Sequence, residues 1–119
     1  MSLGMPDAVS SVLATALDGL ATRQNVIADN IANVDTPGFR ARAVDFESNL
    51  AAALQRGEMP GDGVSVSTTP TNAPVGINGN NVDLRQESLS AMQTQFQYQM
   101  MTRAASSHFS LVTTAAGLG

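Results

Sequence analysis

Ser106, Ser107 and His108 are the one place in the sequence where hydroxyl nucleophiles stand beside an imidazole base. The chemistry such a group serves is acyl transfer, in which the imidazole takes the proton of an attacking hydroxyl. The surrounding pattern is helical, and neighbouring helical positions diverge by about 100°. Hydroxyl and imidazole therefore do not converge, and His108 reads as a helix-surface histidine. The ten carboxylates, at positions 7, 18, 29, 35, 45, 47, 58, 62, 83 and 87, fall at no metal-ligand spacing, and cysteine is absent, so thiolate metal sites and disulfides are excluded. No glycine run is followed by the Lys-Ser/Thr pair of a phosphate-binding loop. Neither an enzyme nor a cofactor is expected. A peptidoglycan hydrolase would need a convergent acid that the spacing does not offer.

Charge excludes further classes. The net charge is -4, all six basic residues are arginines, and neither sign forms a run. Arg40 with Arg42 is too small a basic patch for nucleic acid, so no nucleic-acid partner is expected. The opening MSLGMPD places an acid where a secretory signal carries Lys or Arg. No apolar stretch approaches the roughly 20 residues that span a bilayer, so no direct membrane insertion is expected.

With site chemistry missing, the elements themselves carry the information. From Pro6 or Asp7 onward, Leu13, Leu17, Leu20, Gln24, Ile27, Ile31 and Val34 follow alternating steps of four and three, the spacing that keeps one stripe against a partner helix. Only Gln24 breaks the apolar rule. The spacing predicts a first helix over 1–34. Thr36, Pro37 and Gly38 then stop it: Asn33 suits a left-handed C-cap, and Pro37-Gly38 suits the centre of a type II turn. Beyond the break, Phe39, Ala41 and Ala43 are expected on one side of an extended segment, with Arg40 and Arg42 on the other. Residues 35–44 thus read as a fixed elbow.

Residues 45–56 read as a short second helix. Asp45 is its expected cap, Glu47 and Arg56 complement its dipole, and Phe46, Leu50, Ala53 and Leu54 line one face. Across 57–82 the composition changes, with five of the ten glycines and three of the five prolines in 57–81. This stretch is either a flexible linker or an extended arm, and VSVST alternates as a strand does. A last helix is expected over 83–119, capped by Asp83. It carries two apolar stripes, one through Leu89, Met92, Phe96, Met100, Ala104 and Leu111, the other through Tyr98, Met101, Ala105, Phe109, Val112 and Ala116. A helix apolar on two sides needs two neighbours. The expected fold is mostly α, one structural domain: an elongated hairpin of long N- and C-terminal helices forming a coiled-coil-like inner domain, a short second helix, and an extended irregular or β-like middle arm.

RQNVIADNIANVDTPGF at 23–39 resembles the N-terminal signature of the bacterial flagellar rod and hook axial family, a helix followed by A-N-x-x-T-P-G and an aromatic. Ala32, Asn33, Thr36, Pro37, Gly38 and Phe39 carry the match. RARAVDFE at 40–47, GNNVDLRQE at 79–87 and FQYQMM at 96–101 resemble the proximal rod type within that family. Ala43 departs from it, standing where an acid is usual; the middle is short and lysine is absent.

The resemblance implies a subunit exported unfolded through the flagellar type III apparatus, without a cleaved signal, that assembles in the periplasm as part of the basal-body rod. Its implied partners are other copies of itself, related rod proteins, the rod adaptor, the membrane-supramembrane ring and export gate proteins. It also implies that the terminal helices pair into an inner layer around a channel and that the elbow turns the chain outwards. Arg40, Arg42, Asp45 and Phe46 are candidate contacts between subunits. The competing expectation from composition is a small cytoplasmic helical adaptor or secretion chaperone.

Overall fold

No proline interrupts the helical spacing between Pro6 and Pro37, and one helix occupies most of that interval. A computed structural model of the chain describes residues 4–57 and 66–117. Its elements run in the order α1 (Gly4–Ala32), β1 (Arg42–Asp45), α2 (Glu47–Gln55), β2 (Ser67–Pro70) and α3 (Leu84–Ala115). At about 1.5 Å per residue the two long helices measure roughly 43 and 48 Å. The fold is mostly helical, with two long terminal helices, a short helix between them and a small antiparallel sheet. The Val64 and Ser65 half of the VSVST expectation lies outside the described residues.

Helix ends follow local chemistry. Asp83 caps α3 by accepting the Gln86 amide at 3.1 Å. The Asp45 carboxylate accepts the Ser48 amide at 3.2 Å at the start of α2, and Gly57, with φ of 74°, closes that helix. The end of α1 differs from expectation. Among the described residues only glycines have positive φ, so Asn33 takes no left-handed cap. Its amide stays in the helix, shared between the carbonyls of Asp29 and Asn30. The left-handed position belongs to Gly38, φ 76°, in a turn closed by Phe39 N–H to the Thr36 carbonyl at 3.2 Å. Glycine takes that conformation without the Cβ penalty that Asn would pay.

The long helices form an antiparallel hairpin: Asn30 meets Glu87, Gln24 meets Gln95, and Leu13 and Leu17 share a groove with Ala105 and His108. On the other side of α1, β1 pairs with β2 from Arg42↔Pro70 to Asp45↔Ser67. Between helix and strand lies a small core of Ala16, Leu20, Val44 and Phe46, fringed by Val26, Val66 and Met101. Phe39, Ala41 and Ala43, expected on one side of an extended segment, differ in their burial. Ala41 is buried, but Ala43 is exposed and Val44 and Phe46 turn inward instead, because the larger side chains on that face fill the space above Ala16 and Gly19. The molecule measures 62 × 29 × 15 Å with a radius of gyration of 17.8 Å, against about 13.5 Å for a compact body of this length. It is elongated, which leaves much helix surface outside the core.

Candidate functional site

Two regions concentrate the features singled out above: the elbow after α1 and the outer side of α3. At the elbow, the backbone polar groups freed by the end of α1 need partners. They find them in a second loop. Asn80 donates its amide to the Asn33 and Thr36 carbonyls, both at 2.8 Å, and accepts the Val82 amide. Asn81 accepts the Ala41 amide at 2.6 Å, and its backbone N–H reaches the Phe39 carbonyl. Gly38 donates to the Asn78 carbonyl at 2.9 Å, and Gly79 packs on Gly38 so closely that a Cβ there would lie 3.3 Å from its Cα. Thr36, Pro37 and Gly38 remain exposed at the surface of this clamp, Phe39 is half-buried, Ala32 is exposed and Asn33 half-buried.

A second set of ties fixes the elbow to α1. Asn30, 1% exposed, donates to the Arg42 carbonyl and accepts the Arg42 amide, so its side chain pairs with that residue as a neighbouring strand does. Its remaining N–H reaches Glu87 Oε1 at 2.8 Å, drawing in α3. Every polar position of the Asn30 amide thus has a partner, as burial demands. About two turns earlier, Arg23 grips Glu47 through two nitrogens at 2.9 and 2.6 Å, donates to the Val44 carbonyl, and lies 5.1 Å from the Phe46 ring centroid. This fork geometry suits guanidinium. Arg23 holds the Glu47 carboxyl below its ordinary value, chiefly by hydrogen bonding and against the opposing effect of partial burial.

The helix seam is mixed in character. Leu20 and Ile27 are buried, and Leu13, Leu17, Gln24, Ile31 and Val34 are half-buried. Gln24, the odd member of the apolar series, donates to Gln95 Oε1 across the hairpin at 3.2 Å. From α3, Glu87 and Thr94 are buried and Met101, Ala105, His108 and Val112 half-buried, one heptad stripe, with Tyr98 more exposed at its edge. The opposite side exposes Leu89, Met92, Phe96, Met100 and Leu111, and Phe109 is exposed as well. α3 therefore turns its more polar stripe inward and its more apolar stripe outward, the reverse of a helix that ends at its own core. Among the proposed subunit contacts, Arg40 and Arg42 are exposed and Asp45 half-buried. Phe46, by contrast, is only 4% exposed and packs in the core of its own chain.

Sequence reading missed Asn30, Arg23, Glu87, Asn80 and Asn81 as ties. The Asn-rich turn at 78–81 was the one available signal, since Asn side chains readily bond nearby backbone. Ser106 and Ser107 are exposed while His108 is half-buried toward α1, so the trio does not converge. Among the described residues no cluster of His, Asp and Glu is placed to hold a metal, and no helix is long and apolar enough to cross a membrane.

Comparison with known proteins bears on the same segments. A family model described as Flagella basal body rod protein matches residues 11–40, from within α1 through the Pro37-Gly38 turn. The chain is 36% identical to flagellar basal body rod protein FlgB of Escherichia coli, over 76% of this chain and 80% of that protein. It is 31% identical to FlgB of Bacillus subtilis, over 86% of this chain and 88% of that protein. With FlgB of Yersinia enterocolitica it shares 50% identity over a shorter stretch, 45% of this chain and 39% of that protein.

Proposed function

The chain belongs to the FlgB family of flagellar basal body rod proteins, and from that premise we propose that it is a structural subunit of the proximal rod, assembled through its terminal helices. As a rod component it associates with other rod and basal-body proteins. In this reading its neighbours are copies of itself and related rod proteins, and below them the rod adaptor, the membrane-supramembrane ring and the export gate. The subunit joins the ring and export apparatus to the rest of the rod and passes torque between them. It reaches the periplasm through the flagellar export route without a cleaved signal. Family membership tells against the cytoplasmic adaptor or secretion chaperone.

The observation that carries this reading is the outward stripe of α3. Leu89, Met92, Phe96, Met100 and Leu111 recur at helical spacing and stand 50–69% exposed among the described residues. Apolar side chains in such a row gain roughly 1.5–3 kcal/mol each on full burial, which only neighbouring molecules can supply here. The test is Leu89→Glu with Met92→Glu. Both side chains point away from the hairpin, so helix content and melting of the purified subunit stay as in the parent protein. Incorporation into isolated basal bodies falls at least tenfold and motility is lost. Normal motility in that variant would overturn the reading.

A further inference from the structure

Ile77 is more exposed than any other large apolar residue among the described residues, with its side chain wholly in solvent. It sits at the tip of a tight turn, Gly76 to Gly79, closed by Gly79 N–H to the Gly76 carbonyl at 3.0 Å. That turn is braced from both sides. Gly76 donates to the Asn80 carbonyl at 2.8 Å, Gly38 donates to the Asn78 carbonyl, and Asn78 Oδ1 accepts the Asn80 amide at 3.1 Å. The side chain is thus presented in a fixed place at no further ordering cost to the backbone, the condition under which one anchor residue contributes most to an interface.

The same chain carries a groove suited to such an anchor. Phe96, Met100 and Met101 line it on α3, with Gln93 and Gln97 at its rim. Methionines adapt their shape to an inserted side chain. Ile77 does not occupy the groove of its own chain, since it is fully exposed.

We propose that Ile77 of one subunit inserts into the Phe96–Met100–Met101 groove of a second copy. Charge permits a like partner at these surfaces: the molecule is acidic overall at -4, yet residues 63–82, which include the turn, and 88–102, which include the groove, have no charged side chain. Copies that repel in general can meet at these two patches. Because knob and groove are different surfaces, the contact is head-to-tail and leaves an unused knob and an unused groove on every pair, so it propagates. The inference rests on the rod reading above and adds one specific contact to it.

The chain has no cysteine, so an introduced pair reports alone. Full-length chain with Ile77→Cys and Gln97→Cys is expressed in place of the parent, and isolated basal bodies are oxidised. Expected are disulfide-linked dimers and higher multimers on non-reducing gels, at least tenfold above Ile77→Cys paired with Asp18→Cys. Basal bodies that contain the variant without those multimers, that give only an intrachain bond, or that cross-link equally with the Asp18 pair would overturn the contact alone. Absence of the unsubstituted chain from basal bodies would overturn both the contact and the rod reading. A second variant guards against a damaged pair: Ile77→Asp, which touches no packing in its own chain, lowers incorporation at least tenfold while Ile77→Leu preserves it. Normal incorporation of Ile77→Asp would equally defeat the proposal.

Discussion

The ring of Phe46 lies flat in the space that a side chain on Gly19 would need, so that a Cβ at Gly19 would overlap the ring atoms. Alanine at a helix interior is ordinarily better than glycine by about 1 kcal/mol. Here the overlap decides the sign. Phe46 is 4% exposed and packed in one cluster with Ala16, Leu20 and Val44, which resists its displacement. Gly19→Ala is expected to destabilise the subunit by about 1–3 kcal/mol, the usual cost of overpacking, read as a shift in the urea midpoint with unchanged slope.

Asn30→Ala removes three hydrogen bonds, one buried and two part-buried, and leaves the Arg42 backbone and Glu87 without this partner. The expected loss is about 2–4 kcal/mol, since each abandoned buried group costs about 1–3. Glu87→Gln keeps an oxygen for Asn30 and is expected to cost less than about 1 kcal/mol. Equal losses in the two variants, measured by denaturant titration, would show that the tie between α1 and α3 does not run through this contact.

The legibility of this molecule follows sequence distance. Both long helices were readable because the spacing of Leu13 to Val34 and of Leu89 to Leu111 is local. The turn was readable because Pro37-Gly38 is a local conformational statement. What Arg23 and Asn30 do was not readable, since their partners lie 24 and 57 residues further on. Nor was the facing of α3. Hydrophobicity gives no reason to bury Glu87 and Thr94 while Phe96 stays outside; the long-range polar partner Asn30 is what draws Glu87 inward.

The Glu47 carboxyl is held below its ordinary value of 4.5 by Arg23. A carboxylate whose folded value is depressed stabilises the fold above its unfolded value, and that contribution disappears as pH falls through the folded one. Stability should therefore decline below about pH 4.5 partly through this pair, and Glu47→Gln should flatten that part of the decline. The pair is more than half exposed on the Glu47 side, so the difference at neutral pH stays under about 1 kcal/mol. Parallel melting series from pH 3 to 7 check both statements.

Gly38 has open space around its missing Cβ but a φ of 76°, so substitution there is limited by backbone conformation. Gly38→Asn, which tolerates the left-handed region, should behave nearly as the parent; Gly38→Val should cost about 1–3 kcal/mol. Pro37→Ala combined with Gly38→Val is expected to leave export intact and impair rod assembly. Motility plates and immunoblots of periplasmic fractions separate these steps, and full swarming by the double variant would count against a role for the elbow.

The pairing of α1 with α3 sets an order of events for any chain that is made or delivered from its N-terminus. Gln24 waits for Gln95, 71 positions later, and Asn30 for Glu87. Closing a loop of that size carries an entropy cost that grows only slowly with length, about 0.6 kcal/mol per doubling, so the delay is one of availability more than of energy. Until the last third of the polypeptide is present, α1 has only the elbow, β1 and α2 to lean on. The hairpin is thus a late event, and a growing or threading chain stays pliant through most of its passage.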